Sequence, residues 1–181
     1  MLRQEQIAVV IDSQKESFLQ KDSDLIREVL NDVPIVESYA TIITGLRRCG
    51  KSTLLLQLLR QKYSDAIYLN FEDIRLAEFE TSDFIRFKNE VDKRGVNVLF
   101  LDEIQLVKKW EIFVHQTLRE GYTVFVTGSN ASLLSSELGT HLTGRHLSME
   151  LFPFSYCEFL QFKSLENNLE SLEQYLKTGG I

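Results

Sequence analysis

The sequence predicts an α/β fold, a parallel β-sheet with helices packed on both faces. Three observations predict it. Short apolar runs alternate with amphipathic stretches along the chain, the pattern of β–α repeats. The runs are near-continuously apolar, as in Val98-Leu99-Phe100-Leu101, which fits strands buried on both sides. A glycine-framed octapeptide, Gly45 to Ser52, stands where the first strand turns into a helix.

The elements follow in order. Residues 1–34 read as an N-terminal helical segment of one or two helices, with Leu19, Ile26 and Leu30 at near-helical spacing among charges. After Pro34 the pattern changes, and Tyr39 to Thr44 is a β-prone run that ends at Gly45. From Lys51 a helix presents Leu54, Leu55, Leu58 and Leu59 as one apolar face. Ala66 to Phe71 is a second strand. Ser82-Asp83 caps a helix running to about Val91, and Val96 to Leu101 is a third strand that delivers Asp102-Glu103. Lys109 to Glu120 reads as a helix stopped by Gly121. Thr123 to Thr127 and His146 to Leu151 are the fourth and fifth strands, so the core spans 35–152. Pro153 marks a boundary. Ser155 and Glu158 form a capping box for a short helix, and a second helix runs through about Lys177. Residues 153–181 read as the start of a helical lid domain that the chain does not complete.

A chain of 181 residues holds one ordinary domain, or one domain and the beginning of another. With 44% hydrophobic and 25% charged residues, it has the composition of a soluble protein with a real core. No apolar run approaches the roughly 20 residues needed to span a bilayer. The first residues lack an apolar signal segment, so the expected location is the cytoplasm, with no membrane partner. The net charge of −6 gives no sequence-wide footprint for nucleic acid and leaves only a local basic patch for such binding. Cys49 and Cys157 lie far apart and read as free thiols. His115, His141 and His146 are unclustered, which argues against a histidine metal site.

The octapeptide Gly45-Leu46-Arg47-Arg48-Cys49-Gly50-Lys51-Ser52 matches G-x-x-x-x-G-K-S/T at every fixed position. Gly45 and Gly50 permit backbone angles that turn amide N–H groups inward, and with the following helix N-terminus these amides cradle an anion. Lys51 supplies a point charge for the β- and γ-phosphates. The Ser52 hydroxyl is a hard oxygen ligand for Mg²⁺. The expected ligand is therefore Mg²⁺ with ATP, or less readily GTP. A chance match is disfavoured by context, because the motif follows a strand and opens a helix. Thr53 adjoins the motif in the first helical turn and is counted with it. Cys49 has two readings. It is a small filler side chain, or a thiol whose thiolate is stabilised by the helix N-terminus and two arginines.

Asp102 and Glu103 end an apolar strand, at the sheet edge where ligands sit in open α/β sheets. This resembles a Walker B motif. Asp102 then holds Mg²⁺ or one of its waters, and Glu103 polarises the attacking water. The competing reading is an acidic N-cap pair entering the next helix. Glu72 and Asp73, after the second strand, are supporting site residues or solvated loop charges.

The order of strands and motifs resembles the additional-strand class of P-loop ATPases, which implies a sheet in the order 5-1-4-3-2. That arrangement inserts the fourth strand between the first and third. It places Ser129 or Asn130 between Lys51 and Glu103, Asn130 ahead of Ser129, to orient the lytic water; the competing reading is a small polar turn. Arg145, in Leu142-Thr143-Gly144-Arg145, matches the region where the AAA+ group carries an arginine that reaches a neighbouring subunit's γ-phosphate. The alternative is a surface salt bridge.

The stretches Ile43 to Thr53 and Leu101-Asp102-Glu103-Ile104-Gln105 together resemble an AAA-family ATPase group of bacteria and archaea. So do Thr127 to Leu134, Leu142 to Arg145 and Phe152-Pro153-Phe154-Ser155. The resemblance runs from about Tyr39 to Leu160. It implies an N-terminal AAA-type module followed by a C-terminal domain with a nuclease-like fold, self-association through the Arg145 edge, and a nucleic-acid or protein partner engaged through that further region. A lid arginine is not among the residues of this chain that match. Three functions compete. The leading one is an Mg²⁺-dependent ATPase that drives a conformational change. The others are a non-hydrolysing nucleotide switch, acting for instance on DNA, and a small-molecule kinase. The kinase reading lacks an arginine-rich lid segment after the third strand.

Overall fold

The computed structural model describes residues 1–20, 25–128 and 144–180. Among them five strands form one sheet: β1 (Ala40–Gly45), β2 (Ile67–Asn70), β3 (Val98–Asp102), β4 (Thr123–Thr127) and β5 (His146–Leu151). Their order is β2-β3-β4-β1-β5, and every neighbouring pair is parallel. Read from the other edge, this is the expected 5-1-4-3-2. β4 separates β1 from β3, so the loop after β1 and the acids after β3 face each other across one intervening strand.

Side-chain alternation along the strands builds two cores. On one face Ala40, Ile42, Ile67, Leu69, Leu99, Leu101, Val124 and Val126 join a cluster with helices α1 (Gln4–Leu19), α3 (Asp83–Arg94) and α4 (Trp110–Arg119). On the other, Ile43, Tyr68, Val98, Phe100, Phe125 and Leu151 pack with α2 (Lys51–Lys62) and with Leu30 and Val33. Phe100 and Phe125 are register partners and stack at 4.6 Å between ring centroids. Asp102 shares the parity of Phe100 and meets Tyr68 on the second face.

The N-terminal segment differs from a continuous helical pattern. α1 ends at Leu19, and Ile26 is solvent-exposed. Leu30 is buried in a short 3-10 helix, Glu28–Asp32. The segment therefore holds two helical elements, α1 and this 3-10 helix. α1 joins the core through Ile7, Val10 and Ile11. Its Gln14 side chain donates to the Asn70 carbonyl (3.1 Å) and accepts from the Asn70 N–H (2.8 Å), completing the edge of β2.

The two ends of α3 differ in how far local chemistry sets them. Gly95 closes α3 at φ 66°, a left-handed cap that glycine adopts without strain. Ser82 makes no side-chain cap there. The fully buried Asp83 carboxylate instead accepts from the backbone N–H groups of Leu2 (3.1 Å) and Glu80 (3.0 Å). After β5 come α5 (Tyr156–Lys163) and α6 (Leu169–Thr178). The predicted capping box is present, Glu158 N–H donating to Ser155 Oγ (3.1 Å) and Ser155 N–H to Glu158 Oε2 (2.9 Å). Tyr175 ties α6 back by donating to the Phe154 carbonyl (2.9 Å). Among the described residues no helix is long and apolar enough to cross a membrane.

Candidate functional site

The loop from Gly45 to Ser52 leaves the C-terminal end of β1 and opens α2. Gly45 has φ 144°, and a Cβ there would lie 2.2 Å from the Leu151 carbonyl oxygen, so β5 passes too close for any side chain. Gly50 takes φ 95° as the residue before α2. Arg48 also adopts a left-handed conformation, with φ 69°. Leu46, Arg47 and Arg48 are exposed at the rim, and Arg47 lies 3.9 Å from Glu72 as a solvated surface pair. Ser52 is exposed and Thr53 half-buried in the first turn of α2.

Lys51 is buried yet points back over the loop. Its Nζ donates to the carbonyls of Gly45 (3.2 Å) and Leu46 (3.1 Å) and lies 3.8 Å from Glu103 Oε1. The structure thus brings together a cation from the start of α2 and a carboxylate from just after β3. Burial bears on the two readings of Cys49. The thiol is buried, and burial pushes its pKa up despite nearby Lys51 and Arg27. Both facts fit the small filler side chain better than a stabilised thiolate.

Asp102 is fully buried at the end of β3. Its Oδ2 accepts from the Tyr68 hydroxyl (2.7 Å), and its Oδ1 accepts from the Thr127 hydroxyl. Burial, together with the charge of Asp102, pushes the Tyr68 phenol pKa far up and keeps it a donor. Glu103 follows with φ 53°, an unfavourable angle for a non-glycine residue, and its N–H donates to the Thr127 hydroxyl (3.0 Å). Gln105 Nε2 donates to Glu103 Oε2 at 2.5 Å. Asp102 and Glu103 are therefore not a helix N-cap pair. The next segment is a 3-10 turn, Ile104–Leu106, and α4 starts only at Trp110.

Tyr68, Thr127 and Gln105 escaped the sequence reading. A signal was present, since Tyr68 and Thr127 put hydroxyls into otherwise apolar strands. Asp73 is already engaged by Arg75 (2.7 Å) and Gln14 (3.0 Å), which hold its carboxyl well below the usual range. It supports the turn after β2. Ser129 and Asn130 lie outside the described residues. Arg145 is exposed and directly precedes β5, where its carbonyl accepts from Ala40 N–H (3.1 Å). Ala40 pairs with His146, whereas Gly45 pairs with Leu151. Arg145 therefore lies at the opposite end of the sheet from the loop of its own chain, roughly 20 Å away at ~3.3 Å per residue.

An uncharacterised protein of Methanocaldococcus jannaschii is 34% identical over 167 residues, covering 83% of this chain and 37% of that protein. An uncharacterised protein of Haemophilus influenzae is 33% identical over 187 residues, covering 92% of this chain and 43% of that protein. The chain thus spans about two fifths of the length of these curated relatives. Among solved structures, a chain in the closed-state cryo-EM reconstruction of Hsp104 with ATPγS and FITC-casein aligns with a TM-score of 0.51 and 14% identity. That alignment covers 90% of this chain and 29% of the Hsp104 chain and shows likeness of fold alone. The family model described as an AAA domain matches residues 37–160, from before β1 to within α5. This match covers more than half of the sequence and contains the loop, the paired acids and all five strands, so the chain belongs to the AAA domain family.

Proposed function

We propose that this chain binds ATP with Mg²⁺ through Gly45 to Ser52 and hydrolyses it, the nucleotide state driving a conformational change in a partner or a further domain. The observation that carries the proposal is the approach of Lys51 to Glu103, 3.8 Å apart, beside the buried and doubly bonded Asp102. In this reading the loop amides and Lys51 take the β- and γ-phosphates. Glu103 accepts the proton of the water that attacks the γ-phosphorus, and ADP leaves. Its strained backbone, fixed by Thr127, keeps the carboxylate near Lys51 instead of letting it cap a helix.

Ser52 and Asp102 fit Mg²⁺. A hydroxyl and a carboxylate are hard oxygen donors, and each Asp102 oxygen keeps a lone pair beyond its hydroxyl bond. The cation, when bound, offsets phosphate charge. Asn130, ahead of Ser129, orients the water in this proposal. Arg145 serves the ATP of a neighbouring copy, because it lies across the sheet from its own loop. Residues 153–181 begin a lid, and a nucleic-acid or protein partner acts beyond it, in the cytoplasm.

Titration calorimetry with Mg-ATP tests the binding half. Lys51→Ala should lose about 1.5–3 kcal/mol, the worth of a charge-assisted contact. Glu103→Gln tests the chemical half. Affinity should hold while phosphate release falls by about 10²–10⁴. Equal affinity in Lys51→Ala refutes the site. Parental turnover in Glu103→Gln refutes the base, and ADP formation that requires an added acceptor and frees no inorganic phosphate would favour the kinase.

A further inference from the structure

Beside the phosphate loop lies a buried guanidinium that none of these roles uses. Arg27 is 3% exposed and precedes the 3-10 helix Glu28–Asp32. Its Nε donates to Glu158 Oε1 at 2.8 Å. One terminal nitrogen donates to the Cys49 carbonyl at 2.7 Å. The other donates to the Phe152 carbonyl at 2.9 Å and to Glu158 Oε2 at 3.4 Å. The Phe154 ring packs against it, 5.1 Å from guanidinium carbon to ring centroid. Glu158 in turn accepts from the N–H groups of Ser155 and Glu28, both at 2.9 Å. Three segments far apart in sequence thus meet on one cation: the stretch before β1, the phosphate loop, and the entry to α5.

We propose that Arg27 is a positioning residue for the phosphate loop, and that the Arg27–Glu158 pair couples nucleotide binding at that loop to the seating of α5. The inference rests on the nucleotide-binding reading above. Its core is the peptide between Cys49 and Gly50. A trans peptide is planar, so its N–H points opposite to its C=O. By holding the Cys49 carbonyl, Arg27 turns the Gly50 N–H the other way, and Gly50 N–H is one of the amides of the anion cradle. Gly50 admits this approach, since a Cβ there would fall 3.0 Å from the same Arg27 nitrogen. A buried ion pair adds little net stability over apolar packing but is directional. That direction is what a backbone cradle requires. Arg27 also reaches α2 through its backbone N–H, which donates to Gln57 Oε1 at 3.0 Å. Any reorientation of the loop peptide moves the guanidinium, and the guanidinium carries the first turn of α5 with it.

The test is hydrogen–deuterium exchange on this chain with and without Mg-ATP. Nucleotide should slow exchange in residues 45–53 and also in residues 155–159. Protection confined to the loop overturns the coupling. In parallel, Mg-ATP affinity is measured for Arg27→Lys and Glu158→Gln at a temperature where circular dichroism shows each folded. Both should bind at least ~10-fold more weakly, although Glu158 is one residue removed from the loop. A purely structural pair would lower the melting temperature and leave affinity at the parental value, which also overturns the proposal. If either variant fails to fold, the exchange pattern of the parent decides. Lys51→Ala separates the two readings. Unchanged affinity there removes nucleotide binding by this loop, whereas loss there with parental affinity in the Arg27 and Glu158 variants removes only the coupling.

Discussion

Thr127→Val isolates the hydroxyl that joins the two acids of the site. Thr127 is fully buried, so valine keeps the shape and removes only the polar atom. Two hydrogen bonds go with it: the one donated to Asp102 Oδ1 and the one accepted from Glu103 N–H. A bond to a charged group is worth about 1.5–3 kcal/mol, and an unpaired buried N–H costs about 1–3 kcal/mol. Asp102 keeps the Tyr68 hydroxyl at 2.7 Å, so it is weakened rather than orphaned. Because the Glu103 N–H is only partly buried, the combined loss should be about 2.5–4 kcal/mol, a large part of the ~5–15 kcal/mol that holds a domain together. Denaturant titration measures it. Phosphate release should fall by ~10²-fold in the folded variant, because Glu103 loses the anchor of its left-handed backbone and small displacements of a catalytic group are expensive. Thr127→Ser is the control. It retains the hydroxyl, gives up about 1 kcal/mol for the missing methyl, and should keep most of the turnover. If valine and serine variants match in stability and turnover, the hydroxyl does not organise the acids and the reasoning fails.

Arg145→Ala should leave Mg-ATP affinity near parental and lower turnover, by up to about 10³–10⁵ if the arginine is fully engaged. Mixing Arg145→Ala with Glu103→Gln should restore activity if Arg145 serves a neighbour; silence at concentrations where self-association is demonstrated refutes the role in trans. Thiol alkylation of the native protein at neutral pH should mark the exposed Cys157 and spare the buried Cys49, whose pKa burial raises; mass spectrometry showing rapid adducts at Cys49 would contradict this. Burial by itself would raise the Glu158 carboxyl, but the hydrogen bonds from Arg27, Ser155 and Glu28 outweigh it and hold its pKa below the ordinary carboxylate range. Its contribution to stability is therefore full above the ordinary carboxylate pKa and is lost as pH falls through the lowered one. The parent should lose thermal stability below roughly pH 4.5 more steeply than Glu158→Gln; parallel curves would refute the assignment.

Much of this was legible because it is local. The turn at Gly45 to Ser52 needs glycines at fixed positions, the strands need apolar runs, and Ser155 with Glu158 states a helix start within four residues. Those requirements are written in consecutive letters, and the structure repeats them. The strand order also came out as expected, but on the strength of resemblance, since no local rule says that β4 inserts between β1 and β3. Where local rules had no competitor to weigh against they misled. Ile26 is exposed and Leu30 is buried in a separate 3-10 helix although both keep helical spacing with Leu19, and Ser82, at the start of α3, makes no side-chain cap.

The sequence by itself determined the α/β class, the glycine-framed turn at Gly45 to Ser52 and the acid pair at the end of β3, because each depends on backbone angles or periodicities set within a few residues. Only the tertiary structure decided what surrounds them. It alone set Tyr68 and Thr127 on Asp102, and it buried Cys49 so that desolvation outweighs the neighbouring cations. It also turned Arg145 away from its own loop and closed Arg27 between the Cys49 carbonyl and Glu158, residues 22 and 131 positions distant. The physical reason is common to all four. Hydrogen bonds and desolvation act over a few ångströms of space, and which residues come that close is a property of strand order and packing rather than of sequence neighbourhood.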